Sequence, residues 1–159
     1  MKWIVFARWS ALGLLGLVAL FIASLAYRGV LSRKHAPELG PVEGRLRPCG
    51  AKPNSVCSQD ASPEHRIEPL AFQGTQAEAM AQLKKVLAAQ PRTTVTIETD
   101  NYLRAECKSA FFGFVDDVEF LVDESAHLIQ IRSASRQGYS DLGVNHKRVE
   151  ALRAGFQRG

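Results

Sequence analysis

No acidic residue precedes Glu38, and no charge of either sign falls between Trp9 and Tyr27. The uncharged stretch reads WSALGLLGLVALFIASLAY. A run this apolar has no polar face, which excludes an amphipathic surface helix and leaves a buried helix as the soluble alternative. At ~1.5 Å per residue its nineteen positions make about 28 Å of helix, close to the ~30 Å hydrocarbon core of a bilayer. Trp3, Trp9 and Tyr27 stand at its ends, where amphipathic rings favour the membrane interface.

Chemistry-bearing motifs are also scarce. The chain has 3 Cys and 4 His. It contains no Gly-x-Ser-x-Gly, no His-Glu-x-x-His and no phosphate-loop motif, so the signatures of serine hydrolases, zinc proteases and nucleotide-binding loops are missing. His65, His127 and His146 lie on unrelated elements and read as surface or partner-bonded histidines. No cofactor is expected.

The remaining composition fits one globular domain behind a targeting segment: 159 residues, 46% hydrophobic and 23% charged. The net charge of +4 comes from the flanks of the apolar run, namely Lys2, Arg8, Arg28, Arg33 and Lys34. Without these five, 15 basic residues face 16 acidic ones, and nothing in the domain favours nucleic acid. The chain therefore divides into a short flank (1–8), a transmembrane anchor or uncleaved signal (9–27), a linker (28–44) and an α+β domain (45–159). The lipid bilayer is the expected partner of residues 9–27. Cleavage near Ala26 is the alternative, because Ser24-Leu25-Ala26 offers small residues where a signal peptidase needs them. The flanking positive charges are nearly balanced and set no orientation.

Pro and Gly punctuate residues 28 to 64, and the first half of this stretch reads as a linker lifting the domain off the bilayer. The second half places Cys49 and Cys57 around the turn-forming Lys52-Pro53-Asn54-Ser55. Two cysteines flanking a tight turn suit a short-loop disulfide in an oxidising compartment; two free thiols and a zinc site are the alternatives. The disulfide, with the anchor, points to an inner (cytoplasmic) membrane protein whose domain is periplasmic. Cys107 lies on the apolar side of an alternating run with Leu103 and Ala105 and reads as a buried small hydrophobe.

The fold expected is α+β: an antiparallel sheet of about four to five strands with two helices on one face, behind one N-terminal transmembrane helix. Ile67–Phe72 forms a short first strand interrupted by Pro69. Thr75 and Glu78 make a capping box for a helix carrying Met80, Leu83, Val86 and Leu87, ended by Pro91. Thr93–Thr99, Tyr102–Lys108, the run of Val118, Phe120 and Val122, and His127–Ala134 alternate as strands joined by short turns. A last helix spans about Asn145 to Ala154 with Val149, Leu152 and Phe156 at helical spacing.

Several strings resemble a known family. They are HRIEPLAF from His65, YLRAE from Tyr102, FGFVDDVEFLVDE from Phe112 and IRSASRQGYSDLGVNHKRVEALR from Ile131. Together with the Cys49–Cys57 region they cover about two-thirds of the chain, and on them the domain is identified as a member of the domain of unknown function family 1499, found in bacteria and plastids. The resemblance implies no activity, since the family as a whole lacks an established one. The family pattern carries a cysteine directly after Pro-Asn, where this chain has Ser55, so a family-like bridge is shifted or lost. Cys107 stands where the family more often has an aromatic residue, in keeping with packing.

Alternation puts Arg104, Glu106, Asp117, Glu119, Gln130 and Arg132 on the sheet face opposite the apolar one. A solvated face with cross-strand ion pairs is the plain reading. A polar site is the sharper one, though two carboxylates are too few to hold a divalent ion, and no metal site is assigned. The loop SASRQGYSDLGVN, from Ser133 to Asn145, adds Arg136, Gly138, Tyr139, Asp141 and Gly143 before a helix. The candidate ligand-binding set is Asp117, Glu119, Arg132, Ser133, Ser135, Arg136, Tyr139, Asp141, Asn145 and Arg148, of which Arg132, Arg136, Asp141 and Arg148 are expected to gather with Asp117 and Glu119 at one end of the sheet; no residue is assigned a catalytic role. A helix N-terminus beside Arg136 and Arg148 suits a carboxylate or phosphate. The structural account has Asp141 or Asn145 capping the helix and Arg136 pairing with Asp117 or Glu119. Three functions follow: an envelope module binding a small anionic ligand or an envelope protein; a hydrolase or isomerase using Asp117, Glu119 and Arg132; or an assembly factor docking through its charged sheet edge.

Overall fold

A computed structural model describes residues 2–158. Met1, Gly159 and the side chains of Lys2 and Ile4–Arg8 lie outside the description, and with them most of the expected 1–8 flank. The elements in order are α1 (Lys2–Lys34), β1 (Ser55–Cys57), β2 (Leu70–Ala71), α2 (Gln76–Ala88), β3 (Thr93–Glu98), β4 (Tyr102–Lys108), β5 (Val115–Asp123), β6 (Leu128–Ser135) and α3 (Val144–Phe156). The architecture is α+β, as the alternating runs require. The sheet is antiparallel, in the order β1-β6-β5-β4-β3, with β2 pairing β6 beside β1.

Period-2 patterning builds the inner layer. Leu103, Ala105, Val118, Phe120, Ile129 and Ile131 are fully buried on one face. They pack against Leu83 and Leu87 of α2 and Val149 and Leu152 of α3. Each helix offers an apolar stripe at helical spacing, so both must lie on that face. The α2 N-terminus has the capping box: the Thr75 side chain accepts from the Glu78 amide, and Glu78 accepts from the Thr75 amide at 2.8 Å. At α3 the cap position is Gly143 in the left-handed region, with no side-chain cap of its own. Asp141 serves instead, accepting from the Gly143 and Asn145 amides. The first strand is shorter than expected, because Pro69 can donate nothing to β6. The strand β1, through Cys57, lies in a turn-rich stretch with no alternation to signal it.

Two departures concern the other face. First, α1 does not stop at Tyr27 but continues to Lys34. Residues 28–34, expected as linker, are its last two turns, since the next helix breaker is Pro37. Their Ser32 hydroxyl accepts from the Val115 amide at 2.8 Å and donates to the Val115 carbonyl. Arg33 donates to the Phe112 and Gly113 carbonyls. A Cβ at Gly29 would clash with the Phe112 carbonyl oxygen, so glycine is what permits this close approach.

Second, the charged face is not solvated. The end of α1 and residues 40–49 lie over it, and Leu46, Cys57, Tyr102 and Leu121 form a small apolar cluster there, with Cys49 packed on it. Glu119 is 0% and Asp117 1% exposed. The residues of α1 from Trp9 to Ala23 are exposed and uncharged, and Trp9–Lys34 is a helix long and apolar enough to cross a membrane.

Candidate functional site

The candidate residues separate into two groups on opposite faces of the sheet. Register decides the division: Asp117 and Glu119 point one way from β5, and Asp116, with Val118, points the other. The outer group is Arg132, Arg136, Asp117 and Glu119. Arg136 grips Asp117 with Nε on Oδ2 at 2.7 Å and Nη2 on Oδ1 at 2.8 Å. It also donates to Glu106 and to the Ser32 carbonyl of α1. Arg104 approaches Asp117 from β4, Nη2 to Oδ1 at 2.7 Å. Glu119 accepts from Arg132 Nη1 at 2.9 Å, from the Tyr102 hydroxyl at 2.8 Å and from the Gly40 amide at 2.9 Å.

This is a closed network. The Arg136 side chain is 3% exposed, and its hydrogen bonds to Asp117 hold its pKa above the ordinary arginine value. Burial, then the neighbouring Glu119, pushes the Tyr102 hydroxyl up. With Asp117 and Glu119 sealed from solvent and each accepting from two or more donors, no substrate reaches them. The outer group holds α1, the 40–49 segment and the sheet together. One loose end remains: Arg132 Nε is buried without a partner.

The inner group is Ser133, Asn145 and Arg148, with Asp116. Arg148 Nη2 donates to Asp116 Oδ2 at 2.5 Å, and Nη1 to Asn145 Oδ1 at 2.6 Å and the Ser133 hydroxyl at 3.1 Å. Ser133 donates to Asn145 Oδ1 at 2.6 Å. The Asn145 amide group reaches the Ser135 hydroxyl and the Asn54 carbonyl, fastening α3 to β6 and to the turn before β1. Arg148 therefore does not join Arg132 and Arg136; the sheet lies between them. Asp141 is the α3 cap, and Tyr139 is exposed.

The expected Cys49–Cys57 bridge is not formed in this structure: both are free thiols, as is Cys107. Here the loop is closed by hydrogen bonds instead, from the Leu46 amide to Gln59 Oε1 at 2.8 Å and from the Cys49 amide to Asp60 Oδ2 at 2.6 Å. Burial pushes the Cys49 thiol up to about 12 and raises Cys57 and Cys107 as well, so none is poised as a nucleophile. Burial opposes the Asp60 carboxylate, but the Cys49 and Ser62 amides outweigh it and hold its pKa below the usual aspartate value. His65 is buried, its Nδ1 lying 2.9 Å from the Ser55 carbonyl. Among the described residues, no three His, Cys, Asp or Glu side chains cluster to hold a metal.

Open space lies on the helix side. A cleft of about 410 Å³ runs between the end of α2, the start of β3 and α3. Arg92, Lys108, Lys147 and Arg148 line it with one carboxylate, Asp116, over an apolar floor of Leu87, Cys107 and Leu152. Sequence reasoning reached only Arg148 here. The other three cations come from elements far apart in the chain. Only Lys147, adjacent to Arg148 near the start of α3, carried a local signal.

The profile of a family described as "Protein of unknown function (DUF1499)" matches residues 45–156. The chain belongs to the DUF1499 family. The match takes in β1 through α3, so both residue groups and the cleft lie on DUF1499 positions, and α1 lies before them. A search of curated proteins returned no match.

Proposed function

We propose that this DUF1499 chain is a single-pass membrane protein, anchored by α1, whose domain is a non-enzymatic module binding a small anionic ligand in the cleft beside α3. The observation that carries the reading is charge. Four cationic side chains and one carboxylate line that cleft, in a domain whose remaining charges lean acidic. Arg148 is held in place by Asp116, Ser133 and Asn145, and fixed guanidinium geometry suits planar oxyanions. The exposed Arg92, Lys108 and Lys147 add positive charge around it.

In this reading the domain lies outside the cytoplasm of a bacterial cell, on the envelope side of the inner membrane. Support comes from the apolar α1 and from Cys49 packing on the cluster that contains Cys57, a pair available for joining in an oxidising compartment.

Native mass spectrometry of the membrane-extracted protein tests the cleft. A bound anion is expected in the wild type, lost when Lys147→Glu and Arg92→Glu are combined. An empty wild-type protein that also fails to bind inorganic phosphate, citrate and short-chain phosphatidic acid would overturn it. A phosphatase reporter fused after Gly159 tests the orientation and is expected to be active.

A further inference from the structure

We infer that the loops 109–114 and 137–144 form a second membrane contact, with Phe111 and Leu142 inserted into the headgroup layer of the bilayer that α1 crosses. The inference rests on the anchoring reading of α1 and adds where the domain sits relative to the lipid.

The argument is one of depth along a single helix. If Trp9–Tyr27 spans the hydrocarbon, Tyr27 marks its edge. Gly29 touches the Phe112 carbonyl, and Arg33 donates to the carbonyls of Phe112 and Gly113. At ~1.5 Å of rise per residue, those contacts lie about 3 to 9 Å beyond Tyr27. The headgroup layer is about 5–7 Å thick on each side. The 109–114 loop is thereby fastened within or beside it.

The second loop reaches lower. A cleft of about 310 Å³ is lined by Leu25 and Arg28 of α1 together with Gln137, Ser140, Asp141 and Val144. Leu25 lies two residues inside the apolar run, about 3 Å below its edge, and is partly covered where most neighbouring α1 residues are exposed. The domain thus descends to the hydrocarbon boundary on this side.

What these loops display is apolar. Phe111 is 94% and Leu142 86% exposed, and Val144 is exposed as well. Leu142 has φ 55, a conformation that bulky side chains disfavour; with Gly143 also at positive φ it leaves the leucine in solvent. Large apolar side chains in one exposed area call for a partner. The partner at this level is lipid, with Arg28, Arg33 and Lys34 on the same part of the helix to meet phosphate groups.

The test uses the full chain in phosphatidylcholine vesicles, with a thiol-reactive environment-sensitive dye at one of four positions: Leu17→Cys, Phe111→Cys, Leu142→Cys or Glu124→Cys. The native thiols, Cys57 and Cys107 buried and Cys49 half-buried, give the background, read from unsubstituted protein. Glu124 is at the opposite end of β5 from α1. Lipids carrying a doxyl quencher are expected to remove most of the fluorescence at 17, 111 and 142 and little at 124. Quenching at 17 with 111 and 142 behaving like 124 overturns this inference and leaves the anchor standing. No quenching at 17 overturns the anchor itself. Hydrogen exchange on the unsubstituted protein supplies a label-free second reading. Residues 109–114 and 137–144 are expected to exchange more slowly in vesicles than in detergent-solubilised protein while 124–127 exchanges alike in both, and unchanged exchange of the two loops would overturn the inference.

Discussion

Arg136 and Asp117 form a two-pronged ion pair, at 2.7 and 2.8 Å, whose partners are 3% and 1% exposed. The same guanidinium reaches the Ser32 carbonyl, 104 residues away in sequence. One side chain thus ties the end of β6 to β5 and both to the emerging α1.

Removing it should destabilise the domain and leave ligand affinity unchanged. Arg136→Ala leaves Asp117 Oδ2 without its donor while Arg104 still holds Oδ1, so the cost should fall below the about 3–5 kcal/mol of a fully broken buried pair. Urea unfolding should show a lower midpoint with an unchanged slope. A variant of unaltered stability would show that Asp117 is adequately held by Arg104 alone.

Gly29→Ala separates docking from helix propensity. In a free helix, alanine is favoured over glycine by about 0.8–1.0 kcal/mol. Here a Cβ meets the Phe112 carbonyl, so the variant should undock the end of α1. Faster hydrogen exchange at the Val115 amide, which donates to Ser32, is the expected signature, with the sheet core unaffected.

The Asp60 carboxylate makes folding pH-dependent. Its folded pKa lies below its ordinary value, so its contribution is fully present above the unfolded value of about 4 and is lost as pH falls through the folded one. Comparing the wild type with Asp60→Asn between neutral pH and about pH 2 should give a stability difference that shrinks as acid is added. A constant difference would assign the Cys49 loop to neutral hydrogen bonding.

The thiols report both burial and compartment. In reduced, folded protein all three should alkylate slowly near pH 8, Cys49 most clearly because burial lifts it to about 12. In protein taken from cells without reductant and then unfolded, Cys107 should label while Cys49 and Cys57 remain blocked as a pair. Labelling of all three would place the domain in a reducing compartment.

The residues themselves determined a good deal. Strict alternation in β4, β5 and β6 assigned Leu103, Val118, Phe120, Ile129 and Ile131 to the core and Asp117, Glu119 and Arg132 to the opposite face, because side-chain direction in a strand has a period of two. The Thr75–Glu78 cap and the apolar run of α1 were equally local and equally legible. Period, however, says which side a residue takes and nothing of what lies over that side. The outer face is buried because Gly40 meets Glu119 across 79 residues and Ser32 meets Val115 across 83. The split of Arg148 from Arg136, and the meeting of Arg92, Lys108 and Lys147 at one cleft, likewise depend on how α2, α3 and the sheet pack. Contacts between such distant segments leave no periodic trace in the chain, so only the tertiary structure could decide them.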